Sequence, residues 1–198
     1  MIQAGTYILI IPEGWCEYNY AQALKNSIPR NKQRSINIDL PKPTNENKAL
    51  QLFRRAQKMI QNAKKDKNNY DMVWIIFDND QQPGLDRFFQ QLSKTSIKIA
   101  YSSICIEHWF ILHFEDNRQS FPSAKQATER IENLWKREFH EQYHKTKIKH
   151  FERLQHKLPD AIERAKAIQL QAEADNKPLE NRNPYFTIHE FVQFFKQI

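Results

Sequence analysis

The sequence predicts an α/β protein: a central parallel sheet of about four strands with helices on both faces, followed by a helical C-terminal part. Three observations carry that expectation. Short, nearly continuous apolar runs, at residues 7–11 and 72–77, have the length and β-branched or aromatic content of buried strands. Segments with apolar residues at helical spacing alternate with such runs up to residue 101, the order that builds crossover connections in a parallel sheet. From residue 104 onward the pattern is helical.

Tyr7, Ile8, Leu9, Ile10 and Ile11 form the first strand, which stops at Pro12, Glu13 and Gly14. A helix follows over 16–28 and ends at Pro29, which lacks the N–H needed to continue it. Ile36, Ile38 and Leu40 alternate with polar residues, giving a second strand over 35–40 closed by Pro41 and Pro43. Leu50, Phe53, Met59 and Ile60 mark an amphipathic helix over 45–65 with a heavily basic outer face. The third strand, 72–77, breaks off at Asp78, Asn79 and Asp80. A short helix over 85–93 and a strand over 97–101 complete the alternation. Helices are then expected over 104–114, 123–139, 147–174 with a break near Pro159, and 187–198. Ser123 with Gln126 and Thr187 with Glu190 have capping-box spacing. Residues 175–184 read as a polar loop, and the chain divides into an α/β core over 1–117 and a helical extension over 118–198, packed together as one compact unit.

The 198 residues suffice for a sizeable core, and no apolar stretch approaches the roughly 20 residues of a membrane helix. The N-terminus has no charged region ahead of an apolar segment and no small-residue cleavage site, so a cytoplasmic protein is expected rather than an exported one. A net charge of +7 favours an anionic partner, nucleic acid first. Only three glycines occur, Gly5, Gly14 and Gly84, which excludes glycine-rich phosphate loops of the dinucleotide or P-loop kind. Cys16 and Cys105 have no metal-ligand spacing and read as structural.

The carboxylates are where chemistry is expected. Ligands in open α/β sheets gather outside the carboxyl ends of the strands, so Glu13 after the first strand and Asp78 and Asp80 after the third are candidates for one shared site. In extended backbone Asp78 and Asp80 would point to the same side and share one hard cation, Mg²⁺ or Mn²⁺. Glu17 stands in the first turn of a helix, where the dipole favours an acid whether or not it also serves the site. Glu107 is a charge inside a strongly apolar helix; burying it unpaired costs several kcal/mol, so it must be exposed, paired, protonated or turned to the site. His113 either orients a carboxylate or contacts phosphate, or is a core histidine bonded to backbone. Lys145, Lys147, Lys149 and Arg153 belong to a basic stretch that either neutralises a phosphate backbone or is a solvated face.

Three blocks, ILIIPEGWCEYNYAQAL, YDMVWIIFDND and YSSICIEHWFILHFED, together resemble the RloB family of small Toprim-fold proteins, and the C-terminal NPYFTIHEFVQFF resembles its last helix. The resemblance implies a Toprim glutamate at Glu13, an aspartate pair at Asp78 and Asp80, and the family's helix acid at Glu107. Cys16 and Asn79 stand where the family often has a small polar and a basic residue. It further implies a Mg²⁺-dependent nuclease in antiphage defence, associated with a partner ATPase, its activity restrained until a partner releases it. A non-catalytic nucleic-acid or partner-binding adaptor and a nucleotidyl transferase are the alternatives.

Overall fold

The computed structural model describes residues 5–147 and 149–198; residues 1–4, on which the reading of the N-terminus partly rests, lie outside the described residues. The elements run β1 (Thr6–Pro12), α1 (Trp15–Ser27), α2 (Arg30–Gln33), β2 (Ile36–Asp39), α3 (Ala49–Lys65), β3 (Met72–Asp78), α4 (Leu85–Leu92), β4 (Lys98–Ser103) and α5 (Ile106–Ile111). They continue with α6 (Ala124–Phe139), α7 (Lys149–Leu154), a 3₁₀ turn (Gln155–Lys157), α8 (Leu158–Ala174), β5 (Tyr185–Phe186) and α9 (Ile188–Gln197). Among the described residues no helix is long and apolar enough to cross a membrane.

The sheet order is β2-β1-β3-β4-β5, with the first four strands parallel and β5 antiparallel to β4. Period-two alternation sorts β1 and β3 between two layers. Ile8, Ile10, Trp74 and Ile76 pack with α1 and α5 to α9, while Leu9, Ile11, Val73, Ile75 and Phe77 pack with α3 and α4. Each fully buried Ile, Leu or Phe contributes about 1.5–3 kcal/mol relative to exposure, and both faces of the central strands receive that stabilisation. Ala127, Ile131, Leu134 and Phe191, from beyond residue 118, enter the same cluster as Ile8 and Ile10.

The α/β class and the mostly parallel sheet match the expectation from sequence. The fifth strand was not expected: Tyr185 and Phe186 pair with Ser103 and Ser102, and two residues are too few to show any periodicity. Tertiary contacts put them there. The Thr187 N–H donates to Tyr101 O at 2.9 Å, the Thr187 hydroxyl donates to Ile99 O at 2.9 Å, and that hydroxyl accepts from Tyr101 N at 3.0 Å. The expected capping boxes do not form, since neither Ser123 nor Thr187 makes a side-chain cap; the Thr187 hydroxyl is committed to β4 instead. Thr187→Val keeps the shape but leaves a buried N–H and a carbonyl unpaired. It should lower stability by about 2 kcal/mol, or about 4–8 °C in Tm by thermal unfolding. An unchanged Tm would show that this bridge does not hold β5.

Candidate functional site

In the order β2-β1-β3 the connections leave β1 and β3 in opposite directions, with α1 on one face and α3 on the other. The carboxyl ends of β1 and β3 therefore flank the switch point where such sheets open a crevice. Glu13 lies immediately past β1, its N–H donating to Ile76 O at 2.9 Å, and Asp78 is the last residue of β3. The Asp78 N–H donates to Glu13 Oε2 at 2.8 Å, so the two acids are joined across neighbouring strands.

Glu17 stands in the first turn of its helix and beside the other acids. In α1 it sits where the backbone N–H groups of Gly14 and Glu17 favour its ionised form. It is also buried and close enough to raise the carboxyl groups of Asp78 and Glu13. Gly14 permits this approach: a Cβ there would stand 2.9 Å from Glu17 Oε2, so any side chain would have to push the carboxylate away.

Glu107, on α5, has no exposed surface. Its charge is paired: Lys145 Nζ lies 3.2 Å from Oε1, and the Tyr143 hydroxyl donates to Oε1 at 3.3 Å. Both partners come from the segment between α6 and α7. Tyr143 stacks on His150 with ring centroids 4.9 Å apart, and Asn19 of α1 donates to Thr146 O, so the segment is tied down on both sides of Lys145.

The electrostatics are those of crowded buried acids. Burial first, then Glu17, Glu13 and Glu107, push the Asp78 carboxyl well above the usual range, with Lys145 pulling the other way. Burial also pushes Glu13 up to about 8; the Asp78 hydrogen bond opposes this, and Glu17 and Asp80 add to it. Burial raises Glu17, against its backbone hydrogen bonds and Lys145. For Lys145 burial acts downward, but Glu107 and Asp78 outweigh it and hold the ammonium above its ordinary value, hence charged.

The expectation that Asp78 and Asp80 share one side of an extended strand is corrected. The strand ends at Asp78, and Asp80 and Gln81 adopt left-handed φ values of 40° and 50°. The turn is pinned by Asp80 N donating to Ile104 O at 3.1 Å and Gln81 N donating to Asn79 Oδ1 at 3.1 Å. Asp80 is exposed while Asp78 is buried. Two consecutive non-glycine residues in this region cost on the order of 1–3 kcal/mol each, a strain that clusters at functional sites.

Among the described residues no group of three or more His, Cys, Asp or Glu side chains is arranged to hold a metal ion. Mg²⁺ does not require one, because it keeps several waters and binds through one or two carboxylates plus substrate phosphate. The oxygen-only donors Glu13 and Asp78, each destabilised as an anion by burial and by its neighbours, fit such a cation.

The remaining candidates separate. His113 is a core residue, its Nδ1 3.0 Å from Trp109 O, and burial lowers its pKa to about 3, so it is neutral and away from the acids. Arg153 pairs with Glu141 at 2.6 Å, and Lys147 and Lys149 are exposed. Lys145, expected on a nucleic-acid face, turns into the acid cluster instead. Cys16 and Cys105 are buried free thiols, both raised mainly by burial, and so stay protonated. Three residues escaped the sequence reading. Tyr143 supports Glu107; Gln82 accepts from Ala49 N and donates to Asp78 O, joining α3 to the end of β3; and Trp15, half exposed, stands between Glu13 and Glu17. Only Trp15 had a signal, as an aromatic flanked by two site acids.

Because the Glu13 carboxyl is raised in the folded state from 4.5 to about 8, the folded protein binds that proton more tightly than the unfolded chain. The resulting stability is complete below pH 4.5 and is lost as pH rises through 8. Glu13→Gln escapes the loss. In EDTA, its unfolding free energy should match wild type near pH 4.5 and exceed it progressively up to pH 8, by a few kcal/mol at the end. A difference that does not depend on pH would contradict this.

The family model described as RloB-like protein matches residues 8–195. The comparison with curated proteins gave no match, nor did that with solved structures.

Proposed function

The chain belongs to the RloB family, and from that premise we propose that it is a Mg²⁺-dependent nuclease of the Toprim type that cleaves nucleic-acid phosphodiester bonds in cytoplasmic antiphage defence. The observation that carries this reading is the pairing of Glu13 with Asp78 across the switch point, where the half-buried Glu13 carboxyl accepts from the backbone N–H of buried Asp78 at 2.8 Å. Asp78 and Glu13 would hold the cation, which when bound offsets charge developing on the phosphate, with Asp80 exposed on the adjoining turn. Glu13, with its carboxyl pushed up to about 8, is suited to give or take a proton near neutral pH. Glu107 does not offer a free second metal position; it anchors Lys145, keeping a fixed positive charge beside the acids.

Half-exposed Trp15, two residues past Glu13 and edge-on to Tyr18, would serve as a platform on which a base of the substrate can stack. The other tryptophans, Trp74, Trp109 and Trp135, are buried, so quenching of tryptophan fluorescence by an oligonucleotide should vanish in Trp15→Ala. Such quenching surviving in the variant would sink the platform.

The test of function is incubation of the purified protein with transfer RNA, plasmid and single strands in Mg²⁺, Mn²⁺ and EDTA. Cleavage is expected in the metals and not in EDTA. One other reading is a non-catalytic nucleic-acid or partner-binding adaptor on the same scaffold. No heat of Mg²⁺ or Mn²⁺ binding by calorimetry, together with no cleavage, would establish the adaptor. The defence setting adds a partner ATPase, with the enzyme restrained until its partner releases it, and co-purification of the two proteins from cells expressing both tests the association.

A further inference from the structure

Helix α3 carries Arg54, Arg55, Lys58, Lys64 and Lys65 and no acid. Ala49, Leu52, Phe53 and Ala56 turn its inner face into the core. At 100° per residue, Arg54, Lys58 and Lys65 fall within an arc of about 40° on the opposite face, spread over about 16 Å of axis. All three are exposed. Gln51, Gln57 and Gln61 occupy other outward positions, so this face is polar and gives a membrane or an apolar protein surface nothing to bury.

The ion pairs of the described residues all lie elsewhere, and none includes a cation of α3. The basic stretch nearer the C-terminus is the reverse case: Lys145 holds Glu107, Arg153 holds Glu141 and Lys157 holds Glu138. Arg54 and Lys58, one turn apart, repel each other. A row of cations without internal counterions is stabilised by an external polyanion, which neutralises it and releases its own condensed counterions.

The row also starts at the right place. The Ala49 N–H at the head of α3 donates to Gln82 Oε1 at 2.8 Å, and Gln82 Nε2 donates to Asp78 O at 2.9 Å, so the helix is joined to the end of β3. Exposed Lys48, one residue earlier, is near enough to Glu13 to favour its ionised form. We infer that the outer face of α3, from Lys48 through Arg54 and Lys58 to Lys65, is the surface along which the phosphate backbone of a nucleic acid docks and is led to the acids. The inference rests on the nuclease reading only for what happens at the end of that path.

The test is fluorescence anisotropy of labelled DNA and RNA oligonucleotides with the full chain, in EDTA and over a range of salt. Arg54→Gln/Lys58→Gln/Lys65→Gln removes only exposed charge, and its circular dichroism should equal that of wild type. It should bind about tenfold or more weakly, and the slope of log affinity against log salt should fall by about 2–3. Lys147→Gln/Lys149→Gln should stay within about twofold of wild type. A triple variant with wild-type affinity and slope overturns the proposal, as does a wild-type protein that binds no oligonucleotide. The two readings fail separately. Wild-type cleavage in Mg²⁺ with binding indifferent to the triple change removes the docking face alone. Binding through α3 with no cleavage of any substrate removes the nuclease alone.

Discussion

Asp78→Asn should abolish Mg²⁺-dependent cleavage, by at least about 10²–10³-fold, the scale on which losing one group aimed at developing charge acts. The same substitution should make the metal-free protein more stable. The Asp78 carboxyl is held well above its ordinary range by burial and then by Glu17, Glu13 and Glu107, so its ionised form opposes folding at neutral pH. Asparagine keeps the side-chain shape and does not ionise. A rise in Tm of a few degrees together with lost cleavage is a trade of function against stability that a purely structural acid does not produce. The pair of measurements is needed because each alone is ambiguous: lost activity with a lower Tm would mean that the fold was damaged, and retained activity in a clean preparation would end the proposed mechanism.

Lys145→Met should cost about 3 kcal/mol, or about 6–12 °C in Tm, because it strands the fully buried Glu107 carboxylate without its cation. The Lys145 side chain is itself half exposed, so its own desolvation is a small part of that cost. The diagnostic is the double variant. Lys145→Met/Glu107→Gln removes the stranded charge and should recover most of the lost stability, with a coupling energy of roughly 1–3 kcal/mol in the four-protein cycle. Additive losses would show that the two groups do not support each other.

The first and third strands were legible because each is an uninterrupted apolar run of five or more residues stopped by Pro12 or Asp78, the pattern left by burial on both faces in a parallel sheet, and the second because Ile36, Ile38 and Leu40 alternate with polar residues up to Pro41. Their carboxyl ends were legible for the same reason, which is how Glu13 and Asp78 could be assigned to one edge before their hydrogen bond was known. Glu107 was visible as an anomaly, a charge in an apolar helix, and the sequence limited it to a few fates without choosing among them. Asp80 was misplaced because the expectation extended the strand two residues too far. A left-handed turn held by Ile104 O and by the Asn79 side chain leaves no mark in the pattern of residue types.

What the sequence determined by itself is local and periodic: the α/β class, the alternation of elements, the amphipathic helices with their charged faces, and the arrival of acids at strand ends. The tertiary structure decided everything that pairs residues far apart in the chain. Lys145 meets Glu107 across 38 positions, Thr187 meets Ile99 across 88, and β5 joins β4 only because α9 follows it down onto the same layer. A charged side chain reads the same whether it will face solvent or a buried opposite charge. Which of the two it does is set by desolvation and Coulomb energy, and those exist only once the chain has closed around it.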